Sequence, residues 1–160
     1  MTAEARPAAT VVVLREGEQG PEVLMLKRSG RSGFFPHAWV FPGGRVDDAD
    51  GGAQSCGIAS GLPQGDDHFA VAAIRECFEE AGVWMGKGEA TSTFRAALNE
   101  RTATLRDAPA LVADLDRLAV WSWWITPVAE PKRYDTRFFV ALLRAEEAHS
   151  ASHDEIETVS

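Results

Sequence analysis

Two hydrophobic periods alternate along the chain, and they mark where strands give way to helices. Residues 10–14 (TVVVL) are β-branched and apolar and predict a strand, preceded by a loose polar leader at 1–7. Residues 18–21 predict a turn, and 22–28 (EVLMLKR) a second, mostly buried strand. The glycine-rich stretch 29–37 reads as a loop. A short strand at 38–41 (AWVF) then runs into Pro42-Gly43-Gly44. Residues 45–66 mix acids and glycines with no period and read as an irregular surface insertion.

From 67 to 81 the period changes to that of a helix. Phe69, Ala73 and Cys77, with Ala70, Ile74 and Ala81 beside them, form an apolar face able to pack on a sheet. Asp66 or Asp67 can cap its start, and Gly82 suits the position just past its end. Helical spacing returns at 91–106 (Phe94, Leu98, Leu105) and 110–118 (Leu111, Leu115, Leu118), divided by Pro109. Residues 120–125 form a tryptophan-rich strand, and 137–143 (RFFVALL) the last clear one. Strands, helices, then strands again imply a mixed α/β sandwich. The polar stretch 146–160 supplies no closing element, so a final covering helix is expected beyond it or elsewhere.

Length and composition narrow the class. The chain has 160 residues, 45% apolar and 25% charged, which fits one domain over 1–160. A formal charge of −8 argues against a nucleic-acid polymer as partner, but not against a small phosphorylated substrate met through a cation. Cys56 and Cys77 lack zinc-binding or disulfide spacing, and a reducing cytoplasm is expected. The apolar run 8–14 is too short for a membrane span, so no membrane partner is expected. His37, His68, His149 and His153 are scattered and are assigned no chemistry.

The chemistry concentrates on residues 75–83 (RECFEEAGV). Glu76, Glu79 and Glu80 stand three and four apart, on one face of the helix, where like charges repel. A hard divalent cation relieves that repulsion and prefers such oxygens. Arg75 stands four residues before Glu79 and can pin it, leaving Glu76 and Glu80 for the ion. Acidic helix faces are often merely solvated, and the wider context decides between the two readings.

Residues 75–83 resemble the second half of the Nudix box, G-x5-E-x7-R-E-U-x-E-E-x-G-U with U apolar, and match every fixed position from Arg75 onward. Phe41-Pro42-Gly43-Gly44 resembles the turn that opens that box. The resemblance implies a Nudix-type α/β/α sandwich with a mixed central sheet, with insertions after the Phe-Pro-Gly-Gly turn and after the Nudix helix. Two departures stand out. The box's distal Glu falls on Asp67. The box glycine has two candidates: Gly61 has the correct spacing, whereas Gly44 has the correct neighbours. Gly44 is preferred as the structural and metal-site glycine.

The insertions and the segment 124–139 further resemble the acyl-coenzyme A diphosphatase-like branch. The resemblance implies hydrolysis of a pyrophosphate bond in a nucleoside diphosphate linked to another moiety, coenzyme A or acyl-coenzyme A among them. Mg²⁺, replaceable by Mn²⁺, is implied at Glu76, Glu79, Glu80 and Gly44, with Arg75, Glu76 and Glu79 in catalytic roles. Glu76, or Glu155 or Glu157 from the tail, is the candidate base. Lys132, Arg133 and Arg137 form the best local basic cluster, with Lys27, Arg28 and Arg31 as a second; Arg28, Arg133 and Arg137 are the candidate phosphate contacts. A salt-linked turn is the competing reading of Arg133, Asp135 and Arg137. Trp121, Trp123 and Trp124 cannot all point inward; core packing, a homodimer interface or base stacking are the options. Two other functions stay open: hydrolysis of nucleoside triphosphates, dinucleoside polyphosphates or nucleotide sugars, and nucleotide binding without cleavage.

Overall fold

A computed structural model describes residues 3–29, 37–61, 67–144, 146–147 and 156–159, the last as backbone only. Its elements in chain order are β1 (Arg6–Gly17), β2 (Gly20–Val23), β3 (Leu26–Arg28), β4 (Trp39–Val40), β5 (Gly43–Arg45), β6 (Ala59–Ser60), α1 (Asp67–Ala81), β7 (Gly86–Lys87), α2 (Ser92–Asn99), β8 (Val112–Asp114), β9 (Ala119–Ile125), β10 (Tyr134–Leu142) and β11 (Ile156–Val159).

The main sheet is mixed. Its strands run in the order β2-β1-β10-β9, and β5 pairs with the same edge of β1 as β2 does. The β1–β10 pair is parallel and the others are antiparallel. Period-2 alternation puts Ala9, Val11, Val13, Phe139 and Ala141 on one face, all buried, and α1 packs over them. On the opposite face Phe138 and Val140 are only partly buried and Leu142 is exposed. Two small sheets, β11-β3-β4 and β6-β8-β7, complete the described strands. The fold is therefore mixed α/β with few helices. Among the described residues no helix is long and apolar enough to cross a membrane.

The predicted helix at 67–81 forms over those residues, but it is buried on more than one side. Residues 69–75 are all buried, as are Cys77, Phe78 and Ala81. The loop after β5 covers part of it: Asp50, Ala53 and Ile58 are buried there, so 45–61 is not the surface insertion its composition suggests. Gly82 ends α1 in the left-handed region (φ +74), with its N–H on the Phe78 carbonyl at 2.9 Å.

Several sequence-based expectations are corrected. Arg6 and Pro7 are not a loose leader; they pair with Tyr134 and Asp135. The single strand at 22–28 divides at Leu24-Met25, where the chain leaves the main sheet: Glu22 and Val23 are exposed, and Leu26 is buried in a different sheet. Only Ser92–Asn99 of the 91–106 helix forms, followed by a turn of 3-10 helix at Leu105–Asp107. The helix at 110–118 is instead β8 and a 3-10 turn, Leu115–Arg117. Leu111, Leu115 and Leu118 are all buried by that arrangement, and Ala113 pairs with both Ala59 and Gly86. Tertiary pairing satisfies a spacing that a helix would also satisfy. The tryptophans do not pack in the core: Trp121 and Trp124 on β9 are 72% and 68% exposed.

Phe139 sits on β10 between β1 and α1 and is 1% exposed. Phe139→Ala is expected to lower unfolding free energy by ~3–5 kcal/mol in urea denaturation. A loss under ~1 kcal/mol would contradict this packing.

Candidate functional site

Two glycines bring a backbone turn against α1. Gly43 and Gly44 on β5 pair with Thr10 and Ala9 of β1. A Cβ on Gly43 would stand 2.5 Å from the Ala9 carbonyl oxygen, and one on Gly44 2.5 Å from the Glu76 carboxyl carbon. Only glycine lets β1, the turn and Glu76 approach so closely. The Gly43 N–H donates to Glu80 Oε2 at 3.0 Å. Glu76 and Glu80, one helical turn apart, thus both face this turn.

Arg75 organises the acids from behind. Its side chain is 6% exposed. Nε and Nη2 donate to the two oxygens of Asp50, each at 2.9 Å, and Nη2 also donates to the Arg45 carbonyl at 2.9 Å. Nη1 donates to Glu76 Oε1 and Glu79 Oε1, both at 3.0 Å. Burial alone would lower the Arg75 pKa, but the Asp50 hydrogen bond and the charges of Glu76, Asp50 and Glu79 hold it above the ordinary arginine value.

Glu76 shows the opposite balance. Burial pushes its carboxyl up to about 7, against the lowering pull of Arg75, and Glu79 and Asp47 push the same way as burial. Among the described residues its Oε2 accepts no hydrogen bond. The C-terminal end of α1 is held by α2: Arg95 donates to the carbonyls of Glu79 and Glu80 at 2.9 and 3.0 Å, and Asn99 to that of Glu79 at 3.2 Å. A cavity of about 230 Å³ opens against Arg75 and Glu79, with Asp47 and Arg101 at its wall.

As the side chains stand, no three Asp, Glu, His or Cys groups among the described residues converge on a point suited to a metal. The reason is local: Arg75 takes one oxygen each from Glu76 and Glu79, and Gly43 takes one from Glu80. The donor chemistry nevertheless fits a hard divalent cation, because all the candidates are oxygens and a half-bonded, largely buried carboxylate lies against a glycine that leaves it room. Glu76, Glu80 and Glu79 can hold such an ion, with Gly44 packed against the Glu76 carboxylate.

The remaining candidates fall elsewhere. Arg133 donates to the carbonyls of Thr126 and Ala3, at 3.1 and 2.7 Å. Arg137 bonds Asp135 at 2.5 Å and stacks over Phe69 and Trp123, its guanidinium carbon 4.6 and 3.9 Å from the ring centroids. Both are engaged within the protein: Arg137 pairs with Asp135, whereas Arg133 meets backbone carbonyls. Arg28 lies on β3 in a separate sheet. Lys132 and Arg133 line a cavity of about 600 Å³ at the start of β1 whose wall holds none of the helix acids. Arg31, Asp66 and Glu155 lie outside the described residues, as does the side chain of Glu157. Asp67 bonds its own neighbour, His68 N–H, at 2.9 Å. Gly61, the alternative box glycine, abuts Asp116 rather than α1. The residue that sequence reasoning missed is Asp50. Its signal is its place six residues after Gly44, the G-x5-E spacing of the box with Asp for Glu, hidden in an acidic run that composition alone reads as solvated.

A sequence profile of the NUDIX domain matches residues 4–159. The chain belongs to the Nudix family. It is 30% identical over 194 aligned positions to the acyl-coenzyme A diphosphatase NUDT19 of Gallus gallus, covering 84% of this chain and 51% of that protein. It is 32% identical over 155 positions to the putative nudix hydrolase 7 of Caenorhabditis elegans, covering 92% of this chain and 48% of that one. The chain thus spans about half the length of these relatives. A NUDIX hydrolase crystal structure from Alicyclobacillus acidocaldarius superposes with a TM-score of 0.84 at 28% identity, covering 99% of this chain and 79% of the other. Members of this family generally depend on a divalent metal.

The raised Glu76 pKa carries a stability consequence. The folded metal-free protein holds the Glu76 proton more tightly than the unfolded chain does. That contribution is complete below the ordinary glutamate value and is lost as pH rises through about 7. Between pH 4.5 and 7.5 the metal-free protein should therefore lose on the order of 1–3 kcal/mol relative to Glu76→Gln, measured by denaturant titration at each pH. Parallel curves for the two proteins would contradict the assignment.

Proposed function

We propose that this Nudix hydrolase uses Mg²⁺, replaceable by Mn²⁺, to cleave the pyrophosphate bond of coenzyme A or an acyl-coenzyme A. The observation that carries the chemistry is the largely buried, half-bonded Glu76 facing the Gly43–Gly44 turn beside Glu80, with Arg75 fixing it from behind. Glu76, Glu80 and Glu79 would hold the ion. When bound, the ion neutralises phosphate oxygens and makes an attacking water more acidic.

The chain's own groups supply the rest. Among the described residues Glu76 Oε2 accepts no hydrogen bond, which leaves it a lone pair to take a proton. Arg75 keeps Glu76 and Glu79 oriented while its charge limits their mutual repulsion. Water adds to one phosphorus, the bridging P–O bond breaks, and the departing phosphate leaves with the electron pair. Glu76 is the proposed acceptor of the water's proton, in preference to Glu155 or Glu157.

The choice of coenzyme A rests on the name of the Gallus gallus relative and on the two inserted segments, at 45–66 and 85–118. A homodimer through β9 is supported by its exposed Val120, Trp121, Trp123 and Trp124 at the edge of the main sheet.

The test is turnover on a panel of coenzyme A esters, nucleotide sugars and nucleoside triphosphates with Mg²⁺, reading products by mass. Adenosine 3′,5′-bisphosphate with a phosphopantetheine product is expected, lost with a chelator and restored by Mg²⁺ or Mn²⁺. Glu80→Gln should lower kcat by roughly 100-fold or more, above what outer-shell substitutions cost. Free pyrophosphate from triphosphates would favour the alternative substrates, and no turnover on any substrate would favour a binding module.

A further inference from the structure

The end of α2 places an arginine where glycine is usually found. The Arg101 N–H donates to the Leu98 carbonyl at 3.0 Å, and the Thr102 N–H to the Ala97 carbonyl at 2.9 Å. These two bonds close a helix through a left-handed residue just past its cap, which here is Glu100. That residue is Arg101, at φ +58, whereas Gly82 fills the same position after α1. A Cβ in this conformation crowds the following carbonyl oxygen, and such strain concentrates where a side chain serves a ligand. The Arg101 side chain is 69% exposed and, among the described residues, makes no hydrogen bond. Its Nη1 stands 3.6 Å from Asp47 Oδ2, an ion pair too long for a hydrogen bond. It lines the cavity of about 230 Å³ whose wall also holds Arg75 and Glu79. Asp50 and Glu79 in that wall are each bonded to Arg75, which leaves Arg101 as the cation there still able to take a ligand. Arg133 and Arg137 are committed elsewhere within the protein.

We propose that Arg101 is a substrate contact, whose guanidinium receives a phosphate group of the substrate at this cavity. Its planar fork matches two phosphate oxygens, and a phosphate offers it the short, charge-assisted bonds that Asp47 at 3.6 Å does not. Glu79, one of the residues proposed to hold the ion, belongs to the same wall, so a group seated here lies next to the metal site. The remaining acid of the wall, Asp47, stands 3.6 Å from both Arg75 and Arg101, so its charge is offset from two sides. Two parts of coenzyme A carry the required chemistry: the diphosphate that is cut and the 3′-phosphate on the ribose. Arg101 comes from the segment inserted after α1, so this contact lets the insertion select among pyrophosphate substrates. The inference rests on the proposed pyrophosphate hydrolysis, because it concerns the substrate of that site.

The experiment measures kcat, KM and Tm for wild type, Arg101→Gly and Arg101→Gln on the best substrate of the panel, and on coenzyme A beside its 3′-dephospho form. Glycine suits the left-handed position, so Arg101→Gly removes the guanidinium and should leave Tm at or above the wild-type value. Both variants should lower kcat/KM by roughly 10–100-fold, the range for losing hydrogen bonds to a charged group. A loss confined to coenzyme A puts Arg101 on the 3′-phosphate, and an equal loss on the dephospho form puts it on the diphosphate. Wild-type kcat/KM in Arg101→Gly overturns the inference alone and leaves Arg101 a strained helix end with no part in binding. If Arg101→Gly does not fold, Arg101→Gln, which drops the charge and keeps a long polar side chain, decides by the same outcomes. Wild-type protein that turns over no substrate removes the functional reading, and the inference with it.

Discussion

A buried guanidinium has five N–H donors and no way to shed its charge, so whatever surrounds it must supply five acceptors and negative charge together. At Arg75 both conditions are met: Asp50 takes two bonds, and Glu76, Glu79 and the Arg45 carbonyl take one each. Much of the site's geometry follows from that constraint. The acids nearest the Gly43–Gly44 turn stand where they do because a cation behind them needs their oxygens. Their crowding is tolerable because the same cation offsets part of it. Glu76 is left with one oxygen bonded, and burial then dominates its titration.

The fold places this constraint at the junction of its parts. β1 carries β5 on its edge, and β5 carries the glycines; α1 lies across the same sheet and carries the acids. Packing of Val11, Phe139 and the apolar positions of α1 therefore sets the distance between turn and acids. α2 caps the end of α1 through Arg95 and Asn99, so the last helical turn, which bears Glu79 and Glu80, is held at both backbone and side chain.

What the chain made legible were features encoded locally. The spacing of Glu76, Glu79 and Glu80, the Arg75–Glu79 contact, the bounds of α1 and the role of Gly82 are all set within a few residues of one another. The preference for Gly44 over Gly61 came from its neighbours, and the structure seats Gly44 on Glu76. What stayed hidden depends on long-range partners. Asp50 keeps the box's spacing from Gly44 but lies twenty-five residues before Arg75, where the box has eight, so the insertion masks it in a run of acids and glycines that looks solvated. Leu111, Leu115 and Leu118 have helical spacing, but strand pairing of Ala113 on both sides decides their conformation. Arg133 and Arg137 look like free phosphate contacts until carbonyls and rings from other segments are seen around them.

In the proposed site Arg75, tied to Asp50, holds the helix acids ready for a hard cation at the glycine turn. An anomalous difference map from a crystal soaked in Mn²⁺ tests it most directly. A peak is expected between Glu76, Glu80 and Gly44, with Arg75 still bound to Asp50 through both oxygens. A map with no peak there, or a peak reached only after Arg75 has left Asp50, would contradict it.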